Sequence, residues 1–177
     1  MPVPKSLILL LTVLLFSCGN NQTDKPIDTV KKITKPETVD PELLSFWTRF
    51  KEIVAQKNYR EFKTISLDSL QTCDTTLAVQ TFLNKCYSEV FDSTLLKKIV
   101  ENTSTYYFND DTQRKYFSQS QLEQIGLNDS IIILRRFQIE KELTPDGAWT
   151  MAFDFVKTKR GYRFYGCDCF GGPICCR

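Results

Sequence analysis

The sequence predicts an α+β fold, with N-terminal helices packed on a C-terminal antiparallel meander, and three observations predict it. From residue 40 to about residue 104, apolar side chains recur at spacings of three and four, the period of a helix with one buried face. Beyond about residue 104 the period becomes two: Trp149, Met151, Phe153 and Phe155 alternate with Thr150, Ala152 and Asp154. Strong turn signals, Thr144-Pro145-Asp146-Gly147 and Lys159-Arg160-Gly161, separate the strand-like runs at hairpin distances. Helices followed by a meander pack as a helical layer on one face of a sheet.

The elements follow in order. Asp40-Pro41-Glu42 opens the first helix, with an acid as N-cap, proline at the first helical position and an acid in the first turn. Leu43, Phe46, Trp47, Phe50, Ile53 and Val54 form its buried face, Lys57 continues the spacing, and Asn58 ends it. Tyr59, Phe62 and Ile65 carry a shorter helix. Thr75 to Phe91 reads as a third, with Val79, Phe82, Leu83, Cys86 and Val90 on one side. Asp92-Ser93 caps a fourth, holding Leu95, Leu96, Ile99 and Val100 inside. Tyr106-Tyr107-Phe108 begins the strands and turns at Asn109-Asp110-Asp111. Ser130 to Glu142 is a long β-branched strand, and Tyr162-Arg163-Phe164-Tyr165 the returning one.

Ahead of this region lie two segments of different character. Lys5 gives the N-terminus a positive charge, and Leu7 to Phe16 is almost wholly aliphatic. Ten residues are too few for a stable span, which needs about 20, but suit the apolar region of an export signal. The run ends in Leu15-Phe16-Ser17-Cys18-Gly19, which resembles the lipobox of bacterial lipoproteins. The resemblance implies cleavage after residue 17, diacylglycerol on the Cys18 thiol and acyl chains such as palmitate. Two or three chains anchor a protein stably, at about 0.8 kcal/mol per buried methylene. Glycine after the cysteine, by resemblance to Gram-negative lipoprotein sorting, implies the outer membrane. Residues 19–39 are rich in Asn, Gln, Thr, Asp, Lys and Pro and read as a disordered tether, reaching about 25 Å as a coil. The expected organisation is therefore signal 1–17, anchor and tether 18–39, and one domain 40–177.

Phe82-Leu83-Asn84-Lys85-Cys86-Tyr87, Phe91-Asp92 and Leu95-Leu96-Lys97-Lys98-Ile99 resemble a segment of envelope lipoproteins with a cystatin-like roll, the fold of nuclear-transport-factor-2-like proteins. That resemblance implies a bent sheet wrapped on a helix and carries no activity with it.

Composition excludes whole classes of function. Lysine plus arginine number 23 against 21 acids, and removing Lys5 with the signal leaves 22 against 21. So neutral a chain lacks the basic face of a nucleic-acid binder. Histidine is absent, which removes the Ser-His-Asp triad, the usual general base and the usual zinc ligand set.

Six cysteines follow Cys18: Cys73, Cys86, Cys167, Cys169, Cys175 and Cys176. An even count in an exported chain reads as disulfides, and these would staple the C-terminus to the helices. Across a helix from Thr75 to Phe91, Cys73 and Cys86 stand about 15 Å or more apart, beyond the reach of a bridge, so each is expected to meet the tail. The competing reading is a soft-metal or thiol site in Cys167-Asp168-Cys169 and Cys175-Cys176, although its spacing lacks the usual knuckle. Asp154 is the most tempting acid, but alternation turns it away from the core and towards solvent. Trp47, Phe50, Trp149 and Phe153 are candidates to line a small pocket, or simply core. Arg135-Arg136, Lys157, Lys159-Arg160 and Arg163 form a basic patch that reads as a solvated edge.

No catalytic residue, cofactor or metal site is assigned. The expectation is a non-enzymatic binding module on the outer membrane, meeting an envelope protein or small ligand and no nucleic acid. The alternatives are a metal- or thiol-handling lipoprotein and a pocket enzyme of the roll fold using Asp154 or tyrosines.

Overall fold

The first helix forms where its cap residues place it. In the computed structural model, which describes residues 40–73, 75–102, 105–144 and 147–170, α1 (Pro41–Ala55) begins with Asp40 accepting the Glu42 amide at 2.9 Å. Its stripe Leu43, Trp47, Phe50, Ile53 and Val54 is buried, each such side chain contributing about 1.5–3 kcal/mol by leaving water. The signal, Cys18, the tether, the Pro145-Asp146 turn, Cys175 and Cys176 lie outside the described residues.

Asn58 does not end α1, as its spacing suggested. Lys57 turns the chain at φ 53°, and Asn58 instead caps α2 (Tyr59–Ile65) by accepting the Glu61 amide at 3.1 Å. β1 (Ser66–Gln71) follows directly. The long helix expected from Thr75 to Phe91 is divided into β2 (Thr76–Ala78), α3 (Val79–Lys85) and α4 (Tyr87–Val90). The reason is local: the Thr72 amide and hydroxyl both bond the Thr75 carbonyl, at 2.8 and 2.9 Å, and return the chain antiparallel to β1 with Leu70 opposite Leu77. The helical separation of Cys73 from Cys86 therefore does not hold. α5 (Ser93–Glu101) is capped by Asp92, which accepts the Leu95 amide at 2.8 Å, and it closes on Asn102 at φ 54°. Val100, expected inside, is 54% exposed.

β3 (Thr105–Asn109) starts the sheet half. A segment without strong periodicity then builds β4 (Thr112–Gln113), a 3-10 turn at Arg114–Tyr116, α6 (Gln119–Ile125) and β5 (Ile131–Ile132). The strand expected across 130–142 is interrupted at Ile133. Its larger part joins β6 (Leu134–Thr144), followed by β7 (Gly147–Thr158) and β8 (Gly161–Phe170). The main sheet has the order β2-β1-β8-β7-β6-β3, antiparallel except for the β1–β8 pair, while β4 and β5 form a separate ribbon.

Both faces of this sheet are covered, which corrects the expectation of helices on one face alone. Phe137, Ile139, Met151, Phe153, Phe155 and Phe164 share one core with side chains of α1 to α5. Leu67, Leu134 and Val156 share a second core with Phe117, Ile125 and Ile132 from the 110–133 segment. Among the described residues no helix is long and apolar enough to cross a membrane.

Two register shifts shape the sheet. In β6, Glu140 opposes Thr150 but Glu142 opposes Trp149, so Lys141 is an extra residue. In β8, Gly166 opposes Asp154 but Phe164 opposes Phe155, so Tyr165 is extra. Beside that second bulge β1 passes so close that a Cβ on Gly166 would sit 2.0 Å from the Gln71 carbonyl oxygen. Gly166→Ala is expected to destabilise the domain by about 1–3 kcal/mol through this overlap. Urea unfolding measures it, and a loss within 0.5 kcal/mol would contradict the close approach.

Candidate functional site: a charged cleft on the second sheet face

The bulge at Lys141 decides which side chains meet at mid-sheet. Counting back from Gly147 opposite Thr144 in an unbroken hairpin would put Phe137 opposite Asp154. With the extra residue, Arg136 takes that place. The two side chains lie on the face away from α1, and the guanidinium grips the carboxylate with two of its nitrogens: Nε donates to Oδ1 at 2.7 Å and Nη2 to Oδ2 at 2.8 Å.

Asp154 thus points away from the helices, as its alternation requires, but it is not solvent-facing. It is 5% exposed, beneath a second layer that the periodicity did not show. Burial pushes its carboxyl above the ordinary carboxylate value. The bonds from Arg136 oppose that shift without cancelling it, and the charges of Asp110 and Asp168 add to it. Arg136 is raised in turn, first by its bond to Asp154. It also stands 3.5 Å from Asp110 Oδ2 and beneath the Phe170 ring, 5.8 Å from the ring centre. Around this pair opens a cleft of about 210 Å³, walled by Thr72, Cys73, Asp110, Tyr165 and Asp168.

At one wall of the cleft, ligand atoms of Cys73, Asp168 and Cys169 lie within 4.8 Å of one another. Backbone register explains the meeting. Gln71 of β1 lies beside Gly166 of β8, and two residues further along each chain come Cys73 and Asp168. These three are the described residues that offer a soft-metal or dithiol arrangement. Cys86, at the C-cap of α3, and Cys167 are buried in the main core.

The proposed pocket aromatics are core. Trp47 stacks on Phe137 at 4.4 Å and on Phe50 at 5.6 Å, and Phe50 lies 5.9 Å from Phe153. Trp149 stands apart from that stack, beneath the Lys141 ammonium at 4.0 Å, and its buried Nε1 has no hydrogen-bond partner among the described residues. Nor is the basic patch uniformly solvated. Arg135 pairs with Asp111 and Lys157 with Glu42, while Arg163 donates to the Ser66 carbonyl at 3.1 Å. Asp110, Asp168 and the partnership of Arg136 with Asp154 were not singled out from the sequence. Acids standing beside Arg136 in the register of a bulged hairpin were the available signal, hidden by the bulge itself.

Comparison with known protein families, curated proteins and solved structures finds no match. The chemistry of the cleft therefore rests on its own geometry. A carboxylate with both oxygens held by one guanidinium is poorly placed to abstract a proton. What the cleft offers instead is charge: Arg136, Asp154 and Asp168 on strands and Asp110 just beyond the end of β3, with two tyrosines at the lining.

Arg136→Met would leave Asp154 buried without its counter-charge, a change expected to cost about 3–5 kcal/mol at neutral pH. Because the carboxyl already lies above its unfolded value, the folded state takes up a proton first as pH falls, and the loss should shrink towards acid. Urea unfolding at pH 7.5 and pH 5 checks this. A loss that is the same at both, or below 1 kcal/mol, would contradict the pairing as described.

Proposed function

We propose that the chain is a lipid-anchored lipoprotein of the bacterial outer membrane whose domain is a non-enzymatic binding module, recognising an envelope protein or small ligand in the Arg136–Asp154 cleft. One observation carries the binding reading: Arg136 and Asp154, at the centre of the cleft, are locked in place by a forked ion pair, which favours fixed recognition over proton transfer. The same fork weighs against a pocket enzyme using Asp154. The anchor reading rests on the residues around Cys18. The description of the domain as a cystatin-like roll is supported by helices preceding a meander of three long strands, with α1 laid against them. A disulfide-stapled C-terminus is supported by Cys73 lying beside Cys169.

Native mass spectrometry of the detergent-extracted protein tests anchor and cleft together. The expected species begins at Cys18, carries diacylglycerol and fatty acid, and retains a bound partner or ligand that Asp168→Arg, which reverses a cleft charge, releases. A Cys18→Ala chain should carry no lipid. Unmodified full-length protein would refute the anchor, and an equally empty or equally loaded Asp168→Arg chain would refute the cleft.

A second reading, thiol or metal handling, is favoured by the convergence of Cys73, Asp168 and Cys169. Thiol titration of the purified chain separates the two. Titratable thiols that zinc protects from alkylation support the second reading, and the absence of titratable thiols supports the staple.

A further inference from the structure

Three ligand atoms meet at one wall of the cleft, and each arrives on a fixed piece of backbone. Cys73 sits at the tip of the β1–β2 hairpin. The Thr72 amide donates to the Thr75 carbonyl at 2.8 Å and the Thr75 amide to the Thr72 carbonyl at 3.3 Å, closing the turn on either side of it. Asp168 and Cys169 are consecutive on β8, opposite Ala152 and Met151 of β7. The Cys169 amide donates to Asp168 Oδ1 at 2.9 Å. That bond folds the carboxylate back along its own strand, beside the sulfur that follows it, and leaves the second oxygen to bind. A ligating carboxylate held by a hydrogen bond in this way is oriented before an ion arrives.

The donor set selects the ion. The three atoms lie within 4.8 Å of one another. Two thiolates on a tetrahedral zinc stand about 3.8 Å apart at a Zn–S length of about 2.3 Å, so closing the set takes no more than about 1 Å. A small rotation of these short side chains supplies it. Two sulfurs disfavour magnesium and calcium, which take oxygen ligands, and the carboxylate disfavours copper(I), which takes thiolate and thioether. Zinc accepts both donor types. All three side chains are half-buried. Cys73 and Asp168 also line the cleft of about 210 Å³, so the fourth position of a tetrahedral ion opens on the cleft and not on packed core. The chain has no histidine to fill it. Structural zinc has four protein ligands, whereas three ligands and one open position make an exchanging site.

We propose that Cys73, Asp168 and Cys169 bind one zinc ion reversibly at the wall of the cleft, with the fourth position open to water or to a donor atom of the cleft's ligand. The proposal rests on the second reading, that these sulfurs handle metal, and adds the ion, its ligands and its open side. As zinc(II) binds, the protons of the two thiols leave to solvent and no electron moves.

Zinc competition against a chromophoric chelator and cobalt(II) absorption test the site in the full chain, extracted anaerobically from the envelope. Expected are one zinc per chain and a cobalt spectrum with tetrahedral ligand-field bands and thiolate charge transfer. Cys73→Ser and Cys169→Ser should each weaken zinc binding by about a hundredfold and remove much of the charge-transfer intensity, and Asp168→Asn should weaken it by about tenfold. Cys175→Ser/Cys176→Ser should leave affinity and spectrum unchanged. The spectrum of the unaltered chain decides the ligand type without requiring any variant to fold. Peptide mapping that finds Cys73 or Cys169 already in a disulfide would overturn the site in favour of the staple. Thiols that titrate but bind no zinc would overturn it and leave thiol handling standing. Zinc lost with Cys175→Ser/Cys176→Ser, or indifferent to the Cys73, Asp168 and Cys169 variants, would overturn this ligand set and leave metal handling standing.

Discussion

Strand β7 runs through the middle of the molecule with no solvent face: every residue from Met151 to Val156 is buried. An antiparallel strand with only one layer against it can leave alternate residues wet. Here the alternate residues are Ala152, Asp154 and Val156, and the structure must cover them. The 110–133 excursion does so, and its own contacts are arranged to hold it down. Gln121 Nε2 donates to the Ser69 carbonyl at 3.3 Å, and Gln124 Oε1 accepts the Asp68 amide at 2.8 Å, fixing α6 to β1. Asp111 Oδ1 accepts the Leu134 amide at 3.1 Å where β6 begins. Once that layer is in place, Asp154 has lost its water. A buried carboxylate without a partner would cost several kcal/mol, so the forked bond from Arg136 is a condition of this packing.

The helices with strong caps were the most legible part of the fold. Asp40 and Asp92 each stand before an apolar stripe and each accepts an amide of the first turn, so local chemistry and tertiary packing agree. The meander was legible for the same reason, its turns and alternation pointing one way. The region from Thr75 to Phe91 misled because Phe82, Cys86 and Val90 do lie on a helical face, while Thr75 and Thr76 belong to a turn and strand that no helical spacing reveals. The second layer was not legible from periodicity. Its pieces are two to seven residues long, below the length at which period distinguishes helix from strand. Its capping box, Ser118 with Gln121, was nonetheless a local signature of α6.

The candidate site was legible only in part, and one residue explains why. Lys141 is inserted into β6 and shifts every pair beyond it by one. It is itself 6% exposed, held by Asp92 at 2.5 Å and laid over Trp149. A buried lysine with a carboxylate and an aromatic face has its charge satisfied from two sides, so the bulge is a fixed feature of the sheet. Asp92 serves two elements at once, capping α5 and holding Lys141. Burial pushes its carboxyl up, but Lys141 and the backbone amides at the helix start outweigh that, and it lies below the ordinary value. Register, and hence the Arg136–Asp154 meeting, is thereby coupled to a helix cap about fifty residues earlier in sequence. No reading of β6 and β7 by themselves would find it.

The topology also separates the two ends of the domain. β8 carries Gly161 at the hairpin and Cys169 opposite Met151, about 25 Å apart at the rise of a strand. Asp40, the cap of α1, sits at the hairpin end with Tyr162 and Lys157. Cys73, Asp168 and Cys169 sit at the other, where β1 runs parallel to β8 and carries its own end to the same place. The parallel pairing is what makes this possible, since an antiparallel β1 would bring its N-terminal residues to the cysteines. The start of α1 and the converging sulfurs thus lie at opposite ends of the sheet, with the charged cleft between them. That polarity follows from strand direction and the position of the first helix, whatever the cleft receives.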